Sequence, residues 1–316
     1  MRPDAFSVIY QDHHLLIVNK PAGLVIHPTY KHASGTMWDA ILVYLEQWGR
    51  DDWQPPKLPD EPAWAKAPAH VREMLREKRA QWYWEKEGLL ERPCLLHRLD
   101  KDTSGIVALA RTERSCRHII HQFERHTIVK RYFAVVQKGA PAWARPRAGL
   151  RIAQLFDSEP EQDFDLPFDL LSMGQQDFMV EGALMRDPAD RRRCIVSAEG
   201  QHAATMVKVL AVESDFGLVE ARPITGRTHQ IRAHLAALGY ALVGDQTYGP
   251  PAIAGTPEAA LVRQFLHAYS LELRRYPDNV LCTFVAPLAD DLLAWQERYF
   301  PRWSGVLDAR KTVPAE

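Results

Sequence analysis

The sequence is poor in cysteine and has no long apolar run, and both absences narrow the class of protein. Four cysteines occur in 316 residues and no two are spaced as Cys-x-x-Cys, so neither a zinc ribbon nor a paired redox motif is indicated. Scattered thiols fit a reducing compartment. No window reaches the roughly 18 consecutive apolar residues of a membrane span, and the N-terminus lacks a signal-peptide pattern. We therefore expect a cytoplasmic, monomeric protein that does not bind membranes.

An excess of charge of one sign is also missing. Lys and Arg number 39 against 40 Asp and Glu, which gives a net charge of −1, whereas nucleic-acid-binding domains are often strongly basic. Locally the balance differs, because the window 101–131 holds seven Lys and Arg against three Asp and Glu. Such a basic window could contact phosphates, and a solvated helix face explains it equally well.

Strand patterns outnumber helical patterns along the chain. The β-branched and apolar segments that predict strands lie at 7–19 (a hairpin), 105–110, 129–137, 204–212 with 217–223 (a second hairpin), 269–276 and 280–286. Thr112 is expected to N-cap a helix over 113–126, and a second helix should end before Gly239. Because several neighbouring strands form hairpins, the pattern predicts an α+β fold with a mixed, largely antiparallel central sheet and flanking helices.

Two segments differ in texture from the rest. Residues 50–92 begin rich in proline and continue as a charged helical stretch, and residues 140–198 are mixed and rich in loop signals. We expect one domain over 1–316, with these two segments as insertions on its surface.

The densest group of chemically capable side chains is HRLDKDTSG, residues 97–105. It lies on a loop just before a predicted buried strand, a common place for catalytic groups. The segment alone is ambiguous. His97 and Asp100 could bind a metal in a hydrolase, or Asp100 could form a surface salt bridge.

A second group is TGRTHQIR, residues 225–232. Gly226 would allow an unusual turn, and Arg227 would then sit at a helix start. A cation is unfavourable at a helix N-terminus, so Arg227 should have an anionic partner, either an RNA phosphate or a buried carboxylate. A simple surface arginine is the alternative.

Together these motifs resemble the RluA-type pseudouridine synthase family. HRLDKDTSG resembles the family signature, and KRYFAVV resembles its tyrosine-bearing strand. VIYQDHHLLIVNKPAGLVIHP resembles its N-terminal hairpin and turn, RPITGRTHQIRAHLAALGYALVGDQTYG its C-terminal signature, and LHAYSLEL its closing strand. The matches are collinear, at about 8–27, 94–137, 200–249 and 266–286.

The resemblance implies a fold with a central cleft and a role for each matched residue. Asp100 matches the catalytic aspartate, Tyr132 the active-site tyrosine, and Arg227 the arginine that pairs with the aspartate. Arg98 matches the arginine that fills the space left by the flipped uridine. The residues expected to bind RNA are Arg98, His97, Lys101, Lys130, Arg131, His229 and Arg232.

The implied reaction isomerises a chosen uridine in structured RNA, ribosomal or transfer, with no cofactor and no metal. The base must leave its stack, and a closed apolar wall that includes Leu99 or Ile106 should retain it. We expect Asp100 and Arg227 within about 4 Å of each other, with Tyr132 on the strand next to the one that begins at Gly105. The small N-terminal RNA-binding domain of many relatives is expected to be absent. An inactive RNA-binding protein of the same fold is the main alternative.

Overall fold

The computed structural model describes residues 5–28, 33–48, 63–86, 88–145, 149–154, 162–164, 168–174 and 176–309. The strands in these residues are β1 (Ser7–Gln11), β2 (Leu15–Lys20), β3 (Leu89–Leu95), β4 (Ser104–Thr112), β5 (Val129–Lys138), β6 (Leu150–Gln154), β7 (Gln162–Phe164), β8 (Asp177–Gly182), β9 (Leu184–Arg186), β10 (Cys194–Val196), β11 (Ala204–Glu213), β12 (Phe216–Pro223), β13 (Tyr240–Leu242), β14 (Leu266–Arg274) and β15 (Leu281–Val285). The helices are α1 (Met37–Trp48), α2 (Ala69–Lys86), α3 (Glu113–Glu124), α4 (Gln230–Ala237), α5 (Asp290–Tyr299) and α6 (Ser304–Ala309).

Most of these strands belong to one large twisted sheet. Its strand order is β1-β2-β4-β14-β5-β12-β11-β8-β6-β7. Three further strands lie outside this order: β3 pairs with β4, β13 pairs with β5, and β15 pairs with β14. The pairing of β14 with β4 is parallel and the other pairings are antiparallel. Strands β9 and β10 form a separate antiparallel pair. The predicted α+β class with a mixed, largely antiparallel sheet is confirmed.

Local signals in the sequence are realised where they were strongest. The two predicted hairpins are β1–β2 and β11–β12. Thr112 caps α3, because its hydroxyl accepts a hydrogen bond from the backbone N–H of Ser115. Gly239 directly follows Leu238, the C-cap residue of α4. Its φ of +93° is the left-handed conformation that ends a helix.

The segment 140–198 is more ordered than its loop-rich sequence indicated. Strands β6, β7 and β8 extend the large sheet beyond β11, and the β9–β10 pair packs against α4. Strands β7, β9 and β10 are three residues long, too short for alternation to reveal them, whereas β6 and β8, with five and six residues, were missed by the sequence analysis. In the other segment, the helical stretch is α2, whereas 49–62 and 87 lie outside the described residues. That the two segments are insertions stays a prediction.

Strand β4, which is buried along its whole length, sets the place of the HRLDKDTSG loop. Gly105 has φ +117°, and a Cβ added there would lie 2.2 Å from the carbonyl oxygen of Ala268. Only glycine therefore lets β14 run directly beside the start of β4. Strand β5 follows on the other side of β14, and Gly105 and Tyr132 both pair with Ala268, so the loop before β4 opens close to Tyr132.

The expectation of four unpaired thiols is wrong for two of them. Cys94 on β3 and Cys116 on α3 form a disulfide, while Cys194 and Cys282 are free. Their separation of 22 residues gives no recognisable spacing, which is why the sequence did not indicate the pair. The cytoplasmic location drew on unpaired cysteines and stays a prediction. Within the described residues, we find no helix with the length and apolar character that crossing a membrane requires.

Candidate active site

A cavity of about 360 Å³ opens where the HRLDKDTSG loop, strand β5 and the segment before α4 meet. It brings together all three residues predicted to be catalytic, Asp100, Tyr132 and Arg227. Its apolar wall includes Leu99 and Leu266, so the expected role of Leu99 agrees with the structure. Ile106 instead points to the opposite side of the sheet, where it packs in a separate core cluster.

The backbone around Asp100 is held by a buried lysine. The Lys20 ammonium donates hydrogen bonds of 2.9, 2.8 and 2.9 Å to the carbonyl oxygens of Pro21, Lys101 and Thr103. Burial lowers the pKa of Lys20 to about 7. The ammonium thus joins the end of β2 to the loop that carries Asp100, which restricts where that carboxylate can point.

The arginine that faces Asp100 is Arg232, and the predicted pairing with Arg227 is wrong. Nη1 of Arg232 lies 3.5 Å from Oδ2 of Asp100, whose side chain is 27% exposed to the cavity. Arg227 lies on the exposed rim, where its Nε donates to the carbonyl oxygen of His202. The reason is where the helix begins. Because α4 starts at Gln230, Arg232 stands in its inward-facing first turn and Arg227 precedes it in the loop.

Arg232 was predicted to bind RNA, and in this structure its guanidinium is bound within the protein, so the RNA contact stays a prediction. Its side chain is 8% exposed and its Nε and Nη2 donate to the two carboxylate oxygens of Asp245 at 2.6 and 2.8 Å. Its guanidinium also lies 4.9 Å from the centre of the Tyr248 ring. Burial alone would lower the pKa of Arg232, but its hydrogen bonds to Asp245 raise it overall. The guanidinium therefore stays charged between two carboxylates.

His229 is the second group beside Asp100, and its predicted contact with RNA stays a prediction. Its Nε2 lies 3.9 Å from Oδ2 of Asp100, and its Nδ1 is 3.3 Å from the hydroxyl of Tyr248. Burial lowers the pKa of His229, against the opposing effect of the Asp100 charge. The left-handed turn expected at Gly226 occurs at His229 instead, with φ +55°. This conformation turns the imidazole into the cavity.

Tyr132 lies in the cavity wall on β5, with 8% of the residue exposed. Burial raises the pKa of Tyr132, and the charge of Asp100 adds to the effect, so the hydroxyl keeps its proton. Tyr132 was expected on the strand next to β4, but β14 lies between β4 and β5. Strand order of this kind depends on distant pairing, which local sequence does not encode.

The predicted RNA-binding residues divide between the cavity and its surroundings. Lys130 lines the cavity, donates to the carbonyl of Thr225, and has a pKa lowered to about 8 by burial. Arg98 is exposed at the rim and donates to the hydroxyl of Thr228. Arg131 alternates to the other face of β5, where it lies 3.6 Å from Glu272. Lys101 is exposed but outside the cavity lining.

His97 has a structural contact that argues against both roles considered for it. Its Nε2 accepts a hydrogen bond from the backbone N–H of Ala108 at 3.2 Å. Burial lowers its pKa to about 3, so the ring is neutral and cannot act as a cation towards phosphate. The same contact occupies the nitrogen that a metal would need. In the described part of the chain, no group of three or more His, Cys, Asp or Glu is arranged to hold a metal ion.

Three residues of the site carried no role in the sequence analysis: Lys20, Asp245 and Tyr248. Each lies inside a segment that resembles the family, in NKPAG or in VGDQTYG. A buried lysine in a strand and an aspartate after a glycine were the available signals. Neither identifies its partner, because those partners are 81 and 13 residues away.

Comparison with known proteins places this chain in one family. The family model described as "RNA pseudouridylate synthase" matches residues 14–237. The chain is 34% identical over 270 residues to "RNA pseudouridine synthase 2, chloroplastic" of Oryza sativa subsp. japonica, covering 81% of this chain and 51% of the relative. It is 28% identical over 291 residues to "Ribosomal large subunit pseudouridine synthase D" of Nitrosomonas europaea, covering 91% and 63%. The chain thus spans about half to two thirds of the length of these relatives.

The fold agrees with that assignment. The solved structure of "Human RNA Pseudouridylate Synthase Domain Containing 4" superposes with a TM-score of 0.55 at 20% identity, covering 92% of each chain. "Human RNA Pseudouridylate Synthase Domain Containing 1" gives a TM-score of 0.52 at 17% identity, covering 99% and 98%. The family match over 14–237 and the shared fold lead to one conclusion: the chain belongs to the RNA pseudouridylate synthase family, of the RluA type that its motifs resemble.

Proposed function

We propose that this protein is an RNA pseudouridine synthase in which Asp100 is the catalytic carboxylate. The observation that carries the proposal is the position of Asp100. Its carboxylate is 27% exposed to the cavity, with the buried guanidinium of Arg232 at 3.5 Å. Such a group is open to a substrate and close to a fixed positive charge, which favours its ionised form.

The proposed reaction needs only groups that this cavity holds. The C1′–N1 bond of uridine breaks, the detached uracil turns within the cavity, and a C1′–C5 bond forms. C5 then loses its proton and N1 gains one, so no atom, electron or water is consumed. Asp100 acts either as the nucleophile at C1′ or as the base at C2′; both routes require the carboxylate to be ionised.

Tyr132 is proposed to hold the uracil ring and to place its protonated hydroxyl near C5. Its position in the wall, together with Leu99 and Leu266, offers a flat apolar surface to the base. Such a wall keeps the detached base from escaping while it turns. Arg98, exposed at the rim, is proposed to occupy the space that the flipped uridine leaves in the RNA.

The proposed partner is structured RNA. The ribosomal large subunit is the first RNA to test because the relative from Nitrosomonas europaea is named for it, and transfer RNA is the second. Lys130 in the cavity and Arg98 and Arg227 at the rim supply the positive charge for phosphate contacts. We propose that the protein acts as a monomer in the cytoplasm.

The test is to map pseudouridine in total RNA from cells that lack the gene. We expect at least one uridine to lose its modification, to regain it with the wild-type gene, and not to regain it with Asp100→Asn. The purified protein should also modify that site in a transcript, and should do so on a short stem-loop after exhaustive chelation. Binding to RNA without any pseudouridine, in cells or in vitro, would instead identify an inactive RNA-binding protein.

A further inference from the structure

The guanidinium of Arg232 lies between two carboxylates and binds one of them more closely than the other. Nε and Nη2 form a bidentate pair with Asp245 at 2.6 and 2.8 Å. Only Nη1 is directed at Asp100, at 3.5 Å, which is longer than the roughly 2.7–2.9 Å of a strong charge-assisted hydrogen bond. The planar fork can satisfy one carboxylate fully, and the structure gives that place to Asp245 and not to Asp100.

Burial distinguishes the three groups in the same order. The side chain of Asp245 is 0% exposed, that of Arg232 is 8% exposed, and that of Asp100 is 27% exposed. Asp245 is itself fixed, because its Oδ1 accepts backbone N–H bonds from Thr247 and Tyr248 at 2.9 and 3.0 Å. The rigid end of this row of charges is therefore Asp245, and the end open to the cavity is Asp100.

Resting on the proposed function, we propose that Asp245 is a positioning residue of the reaction, which orients Arg232 and balances most of its charge. An unbalanced guanidinium would turn towards Asp100 and close a bidentate pair with it. Such a pair would occupy both carboxylate oxygens and stabilise the anion, so Asp100 would be a weaker nucleophile or base. With Asp245 in place, one oxygen of Asp100 is steadied and the carboxylate stays accessible.

Tyr248 is a second residue that holds Arg232 in place. Its ring lies against the Arg232 guanidinium, and its buried hydroxyl accepts from the backbone N–H of Cys194 and donates to the carbonyl of the same residue at 2.7 and 3.0 Å. Strand β10, which carries Cys194, thereby holds the Tyr248 ring in place against Arg232. Strand β10 of the 140–198 segment thus contacts the active site through Tyr248.

The charge of Asp100 also acts on other titratable groups. They come from each element packed around it: Lys20 on β2, Tyr132 on β5, Cys194 on β10, and His229 before α4, with Asp102 and Arg186 acting on Lys20 and His229 in turn. Asp245 is distinct among them because it holds Arg232 directly. Its removal should therefore change the field at Asp100 while leaving these other groups in place.

The test compares Asp245→Asn with wild type on a transcript that wild type modifies. We expect kcat to fall roughly 100-fold, the cost of a misplaced catalytic group, with KM changed little. The acid limb of the kcat profile should move to lower pH by about one unit, as an added opposite charge predicts. The matched control is Asp187→Asn. Asp187 is a buried carboxylate in the connection between β9 and β10 that accepts from Arg193 at 2.6 Å and from the backbone N–H of Ala189. The Asp187→Asn variant should have a lower free energy of unfolding, while the acid limb of its kcat profile should stay at the wild-type pH.

A second measurement does not depend on turnover. In protein labelled with 13C at aspartate carboxyls, the Asp100 signal is identified by its loss in Asp100→Asn. Its titration midpoint should fall in Asp245→Asn and not in Asp187→Asn. An unchanged midpoint in a folded Asp245→Asn protein overturns the inference even if the protein makes no pseudouridine, whereas an inactive wild type with a shifted midpoint overturns only the proposed function. Should Asp245→Asn not fold, Asp245→Glu carries the test. It keeps the charge, so the limb should stay while kcat falls, and a wild-type kcat overturns the positioning role.

Discussion

Two arginine–aspartate pairs in this protein have nearly the same geometry and different consequences. Arg232 binds Asp245 through Nε and Nη2 at 2.6 and 2.8 Å, and Arg263 binds Asp291 through the same atoms at 2.6 and 2.7 Å. The remaining nitrogen of Arg232 meets the Asp100 carboxylate at the cavity. The remaining nitrogen of Arg263 meets the backbone carbonyl of Asp102.

We infer from the comparison that the third contact distinguishes the roles of the two buried arginines. At Arg232 it is an ionised side chain open to substrate, so the guanidinium acts through charge. At Arg263 it is a neutral carbonyl, and Nη2 also donates to the hydroxyl of Ser104, so the guanidinium acts on the shape of the loop. The two partner carboxylates also differ in exposure, because the side chain of Asp291 is 49% exposed and that of Asp245 is 0% exposed. Solvent therefore screens the Arg263 pair more than the Arg232 pair.

The largest expected effect comes from neutralising Asp100, the third contact of Arg232. Asp100→Asn keeps the shape of the side chain but can be neither nucleophile nor base, so we expect single-turnover pseudouridine formation to fall roughly 10⁴-fold or more. RNA affinity, measured by filter binding, should change little because phosphate contacts dominate it. A variant that keeps more than a tenth of the wild-type rate would contradict the assignment of Asp100.

The comparison itself is tested by making the same change in both pairs. Arg232→Lys replaces a planar fork with a point charge that cannot bind Asp245 and face Asp100 together, so kcat should fall roughly 100-fold. Arg263→Lys should instead lower the free energy of unfolding by about 2 kcal/mol through lost hydrogen bonds to the loop, with kcat near wild type in the folded protein. Urea unfolding and kcat, measured on both variants, separate the two outcomes. Equal losses of rate would show that the third contact is not decisive.

Tyr132→Phe should give a smaller loss. The ring that faces the base remains, while the hydroxyl proposed to act near C5 is removed, so product formation should fall by about tenfold to 100-fold. RNA affinity should be unchanged, and Tyr132→Ala, which also removes the ring, should weaken it. Normal turnover in the Phe variant would leave Tyr132 as a stacking wall only.

The sequence was most informative where one local signal sufficed. The β-branched runs of β4 and β5, the Thr112 cap and the Gly239 stop are features of a few consecutive residues, and each was predicted within a few positions. The resemblance to a family predicted that Asp100 and Tyr132 belong to one site, which their spacing in the sequence does not indicate. The family also explains why HRLDKDTSG ends in glycine, and the structure adds the physical reason in the contact of Gly105 with Ala268.

What could not be predicted depended on distant partners. Arg227 and Arg232 are five residues apart in one motif, and only the start of α4 at Gln230 decides which of them faces inward. The insertion of β14 between β4 and β5, and the Cys94–Cys116 disulfide, likewise follow from tertiary packing. Asp245 was overlooked because an aspartate in a turn has an ordinary local explanation, as the acceptor of nearby backbone N–H groups.

Arg227 provides the smallest effect and the sharpest check on the corrected pairing. In the part of the chain that the structure describes, it has no carboxylate partner, and its guanidinium donates to the carbonyl of His202 at the cavity rim. Arg227→Ala should therefore leave kcat within about threefold of wild type, a far smaller change than for Arg232→Lys. If Arg227 contacts one phosphate, the slope of log Kd against log salt should fall by about 1, with affinity weakened similarly for different RNA sequences. A loss of kcat as large as that of Arg232→Lys, at an unchanged salt slope, would mean that Arg227 turns inward to Asp100 when RNA binds. The pairing predicted from the family resemblance would then describe the enzyme at work, and the Arg232 contact only its resting state.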